Sequence, residues 1–514
     1  MMTPASSLCA QTNLIKPDQY LALQPKPNFA PGHHLPHLTR WAWPLSSNLN
    51  IELAKNWGYT LDLGDATTNL VARLAKTNTT ESRFIFLATN FPKQYALSVN
   101  MDRTFPAPIP DAFYVTNVLG LFVDASSNTW RYATNKKYAK VVSPEGPDSY
   151  WSNTAAYWAA PLRAIQSKAP IAIVRNGGEY GLDVTGFGVK AWQFDPRVMA
   201  AMKTNGLSWN RYVSKQKAHQ LGFLTSAVRA SLPSRELYIF YNTGNEQNRF
   251  VVRGYGDWED NSAYWGWASD VMNANTDLPS FESYYINGNS WINIPGAKWY
   301  QITDLLTKHL NAVGYNMKLG NSLNYSWVCG GWGTNIAIRL SEIPRYMGFL
   351  KCLYTSGMNG AVAGYFDYPI GGFDAPFSTT APPHWLLQIQ ALAQVHALFS
   401  KLEIFLYNGD LLPGPNTHFL SVDQPAYEFP TGDSTVRVLV RKLRANQLWL
   451  ITAWAASGDD RNVNVTVPEL GTIQVRARAS GSVYQASKNS LTLLDLNGLL
   501  PSAWSAPSNL QIQR

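Results

Sequence analysis

Cysteine is scarce in this chain: three residues in 514, at Cys9, Cys329 and Cys352. None belongs to a CxxC pair and none stands at metal-ligand spacing, so a disulfide-stapled scaffold and a zinc module are both disfavoured. Charge is scarce too. Asp, Glu, Lys and Arg make up 15% of the chain, against a usual share of about a quarter. The net charge is +8, but the basic residues are dispersed. A nucleic-acid surface concentrates them, so no nucleic-acid partner is expected. No apolar run reaches the roughly 18 residues that a membrane-spanning helix needs. A glycine-rich turn after the first strand is missing, which argues against a dinucleotide-binding sheet. Gly-x-Ser-x-Gly and Walker-type phosphate loops are missing as well. No cofactor is implied.

Aromatic and amide side chains fill the deficit. There are 19 Trp and 26 Tyr, set among many Asn, Ser and Thr. A sugar ring offers a C–H face to an aromatic plate and hydroxyls to amides and hydroxyls, so a carbohydrate partner is expected.

Strand and helix patterns alternate from about residue 38 to 412, which is the mark of a parallel α/β architecture. Eight segments read as strands: Leu38–Trp43, Gly58–Leu63, Arg83–Thr89, Ile171–Arg175, Glu236–Tyr241, Ser283–Ile286, Leu323–Val328 and Ala361–Phe366. Helical periodicity covers Tyr150–Ser167, Trp209–Ser231, Ser341–Ser356 and Trp385–Phe405. Residues 91–149, with six prolines at 92, 106, 108, 110, 144 and 147, read as an insertion after the third strand. The stretch 244–280 reads as a second long loop. Beyond the Pro/Gly cluster at 409–415 the pattern turns to period two, in segments such as VRVLVRKL, QLWLITAWA and VNVTV. The expected fold is an α/β (β/α)8 TIM barrel over residues 38–412, with an all-β sandwich over 413–514 and an N-terminal extension over 1–37. The first residues, Met-Met-Thr-Pro-Ala-Ser-Ser, carry no charged and apolar leader. They read as a mature start of a secreted or periplasmic protein.

A barrel presents its chemistry just past the C-terminal ends of its strands. That rule leaves few acids. After the fourth strand comes Asn176-Gly-Gly-Glu179-Tyr180, after the fifth Asn242-Thr-Gly-Asn-Glu246, and after the eighth Asp367. Asp62 and Asp65 stand at and after the second strand. Splitting a glycosidic bond takes one carboxylic acid to protonate the leaving oxygen and a second carboxylate to attack or to activate water. Glu179, preceded by two glycines that let the backbone approach a substrate, is the expected acid. Glu246 and Asp367 are the expected candidates for the second carboxylate. Arg175, Asn176, Tyr180, Asn242, Trp258, Trp265, Trp327 and Trp332 are expected to bind the sugar. Asp257, Glu259 and Asp260 read as a solvated loop cluster. His33, His34 and His37 lack a further ligand at metal spacing and read as loop histidines. Cys329 has no evident His partner and reads as structural.

In architecture the chain resembles the clan A glycoside hydrolases, retaining enzymes with a barrel and often a C-terminal β-sandwich. That resemblance implies an acid/base Glu at the end of strand four, generally preceded by Asn, and Glu179 after Asn176 is similar to it with two glycines between. It also implies a nucleophilic Glu at the end of strand seven, where this chain reads Tyr325-Ser-Trp-Val-Cys-Gly-Gly-Trp332 and has no acid. The expectation is therefore a hydrolase of an oligo- or polysaccharide. The alternative is a barrel that binds carbohydrate without cutting it.

Overall fold

The computed structural model describes residues 14–24, 37–40, 48–57, 59–76, 95–99, 143–169, 171–176, 192, 195–232, 236–239, 275, 277, 280–284, 306, 310, 324–329, 343–364, 374–379, 382–414, 427–443 and 445–494. The first described elements are β1 (Leu14–Ile15), α1 (Pro17–Ala22), β2 (His37–Arg40), α2 (Asn48–Asn56), β3 (Tyr59–Asp65), α3 (Thr68–Leu74) and β4 (Tyr95–Val99). Next come α4 (Asp148–Ala159), α5 (Leu162–Gln166), β5 (Ile171–Asn176), α6 (Pro196–Asn205), α7 (Trp209–Ser231) and β6 (Glu236–Ile239). They are followed by β7 (Ser280–Tyr284), β8 (Asn324–Cys329), α8 (Ile343–Thr355), β9 (Met358–Gly364), β10 (Phe377–Ser378), α9 (His384–Ser400) and α10 (Glu403–Asn408). After α10 the described elements are all strands: β11 (Gly409–Leu411), β12 (Val436–Leu443), β13 (Trp449–Ala455), β14 (Arg461–Val467), β15 (Gly471–Ala477), β16 (Ser482–Ser487) and β17 (Ser490–Leu493).

Eight strands form one sheet in the order β6-β5-β4-β3-β2-β9-β8-β7. Every described pairing in it is parallel. Consecutive strands are neighbours from β2 to β6 and from β7 to β9, and the sheet's chain-first strand β2 lies beside its chain-last strand β9. This is the order of a ring interrupted between β6 and β7, and it differs from a doubly wound sheet, which reverses direction at an internal switch point.

The third strand is a correction to the sequence reading. Its place is taken by Tyr95–Val99, which pairs with β3 on one side and β5 on the other. The expected segment Arg83–Thr89 lies outside the described residues. Both segments are short and rich in strand formers, and pairing with both neighbours decides between them.

Helices cover the sheet because their apolar stripes need a partner. Trp151, Trp158, Leu221, Leu224 and Val228 from α4 and α7 pack with Leu63 and Val174 of the sheet. The amphipathic α7 starts at Ser208, whose hydroxyl accepts the Arg211 amide at 3.4 Å. The single helix expected over Tyr150–Ser167 is instead broken between α4 and α5. Pro161 lacks the N–H that a continuing helix needs and clashes with the preceding turn.

The C-terminal strands build a five-stranded antiparallel sheet, β11-β12-β13-β16-β17, and a hairpin, β14-β15. Val438, Val440, Trp449 and Ile451 from the first share one core with Val463, Val465 and Val475 from the second. Gly409–Leu411, expected as part of a linker, pairs with β12 as an edge strand. The other face of the five-stranded sheet joins a second core. There Leu439, Leu450 and Trp454 pack with Met347, Leu350, Leu392 and Phe399 of α8 and α9.

Much of the aromatic excess is core. Trp57, Trp151, Trp192, Trp449 and Trp454 are fully buried, so they cannot serve as sugar plates.

Candidate functional site

All eight parallel strands end on one edge of their sheet, at Arg40, Asp65, Val99, Asn176, Ile239, Tyr284, Cys329 and Gly364. In parallel sheets that edge is where ligands bind, because the loops leaving it converge there. Counted from these ends, Glu179 comes three residues after β5, Asp367 three after β9 and Glu246 seven after β6. The strands β5 and β6 are direct neighbours, so the loops bearing Glu179 and Glu246 leave adjacent strand ends. Four strand steps separate β5 from β9 in the sheet order.

Three of the expected site residues fall in described strands. Arg175 and Asn176 are the last two residues of β5, and Arg175 is buried at 3% exposure. Trp327 lies in β8, where its register partners are Glu282 of β7 and Val362 of β9. Glu179, Tyr180, Asn242, Glu246, Trp258, Trp265, Trp332 and Asp367 lie outside the described residues, as do Asp257, Glu259, Asp260, His33, His34 and Cys9. His37 opens β2, and Cys329 closes β8. The third cysteine, Cys352, is wholly buried in α8, and burial pushes its thiol far above the usual range. A thiol so held is not a nucleophile at neutral pH. Among the described residues no group of three metal-ligating side chains occurs, and no helix is long and apolar enough to cross a membrane.

One register feature was not drawn from the sequence. Between Asp62 and Asp65 the strand β3 carries one residue more than its partner β4, and Gly64 adopts a φ of 80°. This bulge places Asp65 opposite Ser98 of β4, while Ser98 is opposite Arg175 of β5 and Arg175 opposite Tyr238 of β6. Asp65, Ser98, Arg175 and Tyr238 thus occupy one backbone register row near the C-terminal ends of four successive strands. The available signal was Gly64 inside a strand pattern, which commonly marks a bulge.

The segments flanking β5 are anchored from the helical layer. Glu145, just before α4, accepts hydrogen bonds from the Tyr212 hydroxyl and, at 3.1 Å, from the Gln216 amide. Burial, together with the Glu145 carboxylate, pushes the Tyr212 phenol far above its ordinary range, so it stays a donor. Asp195, with no exposure, caps α6 through the Arg197 amide at 2.9 Å and pairs with the Arg197 guanidinium at 2.8 Å.

No protein-family model matches the chain, and no curated protein matches its sequence. Similar solved structures do exist. An apo exo-carrageenase GH42 from Bacteroides ovatus is 7% identical, with 90% of this chain and 84% of that chain covered at a TM-score of 0.46. A family 39 glycoside hydrolase from the gut symbiont Bacteroides cellulosilyticus WH2 is 12% identical, with 90% and 83% covered at a TM-score of 0.41. A glycoside hydrolase family 30 subfamily 8 xylanase from Clostridium acetobutylicum is 10% identical, with 87% and 86% covered at a TM-score of 0.36. These three are glycoside hydrolases of different families, and none assigns this chain to a family.

Proposed function

We propose that this protein is a glycoside hydrolase of an oligo- or polysaccharide, built as a (β/α)8 barrel with a C-terminal β-sandwich. The observation that carries the reading is the parallel sheet itself. Its strands run in sequential order with first beside last, and β5 ends at Asn176, directly before Gly-Gly-Glu179. Closing the ring between β6 and β7 would bring the end of β9 across the mouth from β5, and Asp367 with it. Glu179 is the general acid in this reading, and Glu246 or Asp367 supplies the second carboxylate. A separation of about 5–5.5 Å between the carboxyls would mean retention, and about 6.5–9.5 Å inversion. Arg175, Asn176, Tyr180, Asn242, Trp258, Trp265, Trp327 and Trp332 line the sugar site. Work on polymers too large to import accords with a secreted or periplasmic protein.

The test is Glu179→Gln, which keeps the shape and removes the proton. The rate on a substrate with a poor leaving group should fall at least ~10²-fold. An activated aryl glycoside, which needs little protonation to depart, should lose much less. Equal and small losses on both substrates would place the acid elsewhere.

One observation favours a second reading, a barrel that binds glycans without cutting them. The end of β8 and the residues just after it, Tyr325 to Trp332, hold no carboxylate. Tight glycan binding with no turnover on any substrate of a broad panel would select it.

A further inference from the structure

We infer that Ser143 and Asp195 form a buried clamp that couples the segments leaving the neighbouring strands β4 and β5, and that they are positioning residues for the segment carrying Glu179. The effect on turnover rests on the hydrolase reading above, whereas the coupling itself does not.

β4 and β5 pair directly and end on the same edge of the sheet, at Val99 and Asn176. The segment leaving β4 returns to the helical layer at residues 143–147, just before α4. The segment leaving β5 carries Glu179 and Tyr180 and returns at Trp192 and Asp195, just before α6. A hydrogen-bonded relay joins the two returns. Tyr212 and Gln216 of α7 donate to the Glu145 carboxylate, Gln216 at 3.1 Å. The Glu145 amide donates to the Ser143 hydroxyl oxygen at 3.2 Å. The Ser143 hydroxyl in turn donates to the Asp195 carboxylate. Arg197 closes the row, donating its amide to Asp195 at 2.9 Å and its guanidinium at 2.8 Å. Ser143, Asp195 and Tyr212 are all buried.

Capping α6 takes only the bond from the Arg197 amide to Asp195. The bond from Ser143 is extra to that task and reaches the other segment. A carboxylate shut away from water needs donors around it. Burial by itself would raise the Asp195 pKa, but its Arg197 and Ser143 donors hold it below the ordinary carboxylate value. Each return is also fixed to its surroundings. Trp192 is buried in one core with residues of α4 and α7, and its carbonyl accepts the Asp195 amide at 3.1 Å. The Gly146 amide donates to the Ser143 carbonyl at 3.1 Å, in a turn so tight that a β-carbon on Gly146 would come within 3.2 Å of that oxygen. Satisfied polar networks rigidify what they join. A displacement of one return is therefore passed to the other, and the Glu179 segment is held at both of its ends.

The relay can be cut in its middle with both ends left whole. Ser143→Ala removes the hydroxyl and keeps the Arg197–Asp195 and Tyr212–Glu145 bonds. Hydrogen–deuterium exchange of the full chain, read by mass spectrometry, should then speed up at least about threefold in peptides spanning residues 192–198, as expected for members of one network. Tyr212→Phe, which cuts the far end, should speed exchange in the same peptides. Turnover is read with 4-nitrophenyl α- and β-glycosides of glucose, galactose, xylose and fucose, well below each variant's unfolding midpoint. Ser143→Ala should lower kcat at least about tenfold with KM within about twofold, because alignment is lost while substrate contacts are not. Unchanged exchange at residues 192–198 in both variants would overturn the clamp. An unchanged kcat, or a loss confined to KM, would overturn the positioning role. A parent that turns over none of the probes removes that role together with the hydrolase reading, and faster exchange at residues 192–198 then upholds the clamp by itself.

Discussion

The helices α7 and α8 hold equivalent places, each lying in the layer that covers the parallel sheet, yet their surfaces differ. α7 keeps a stripe of Tyr212, Val213, Leu221, Leu224 and Val228 against the core and turns Lys215, His219 and Arg229 to solvent. In α8 every residue from Tyr346 to Thr355 is buried, Lys351 among them. The difference lies in what covers the outer face, which is water for α7 and the antiparallel sheet for α8. Gly348 shows how close that cover comes: a β-carbon there would sit 2.1 Å from Trp454 Cδ1 and 2.6 Å from the Ala479 carbonyl oxygen. A helix can therefore be amphipathic in one part of a layer and buried all round in another, depending on its second neighbour.

The contrast can be broken most forcefully at the seam. Trp454 is fully buried against α8 and donates its indole N–H to the Ala479 carbonyl at 3.0 Å. Trp454→Ala should cost about 3–5 kcal/mol of stability, measurable by denaturant unfolding. A loss below about 1 kcal/mol would mean that the two sheets are only loosely joined.

A smaller effect of opposite sign is expected at Lys351. Its ammonium nitrogen donates to the Gly481 carbonyl at 2.9 Å. Burial, with the Arg478 charge adding to it, lowers its pKa well below the ordinary lysine value. The unfolded chain therefore binds more protons than the folded one between that lowered pKa and about 10.4. Stability contributed by this site rises with pH through that window and is lost as the pH falls toward the folded pKa. Lys351→Met should stabilise the protein on the order of 1 kcal/mol near neutral pH and flatten that slope. Unfolding midpoints measured from pH 6 to 10 would show both. The smallest effect belongs to α7. Arg229 pairs with Asp277 at 2.8 Å, but both side chains are well exposed, so Arg229→Ala should change stability by less than about 0.5 kcal/mol.

Local pattern carried much of this fold. The bounds of α7 are those that its periodicity predicts, and of the seven strands after α10 all but β11, which was expected as linker, overlap segments of period two. Where pattern fell short, the cause was a longer-range interaction or an overlooked breaker. Tyr95–Val99 takes the third place because it fits between β3 and β5, which no local window reports. The helix expected over Trp385–Phe405 stops at Ser400, whose hydroxyl bonds back to the His396 carbonyl at 2.9 Å, and resumes at Glu403. The candidate site was legible only as a rule about strand ends. β5 ends at Asn176, one residue past the expected segment, and Glu179 beyond it lies outside the described residues, whereas the shared register row of Asp65 and Arg175 depends on a bulge that emerges only once the strands pair.

Arg441 has a consequence for the order in which the molecule can be finished. Buried in β12, it donates to the Thr355 carbonyl at the end of α8 and to the Phe405, Leu406 and Gly409 carbonyls at the end of α10. Helix ends shut away from water need such donors, and these two receive theirs from a residue synthesised later than either. While the chain is emerging from the ribosome, everything through Asn408 can be in the open and still have those carbonyls unserved. The last turns of α8 and α10 must then stay hydrated or frayed until β12 has been made and has folded back. Synthesis that stalls between residues 409 and 440 leaves a product with its final helices unsealed, open to proteases at the place where the finished protein is most tightly closed.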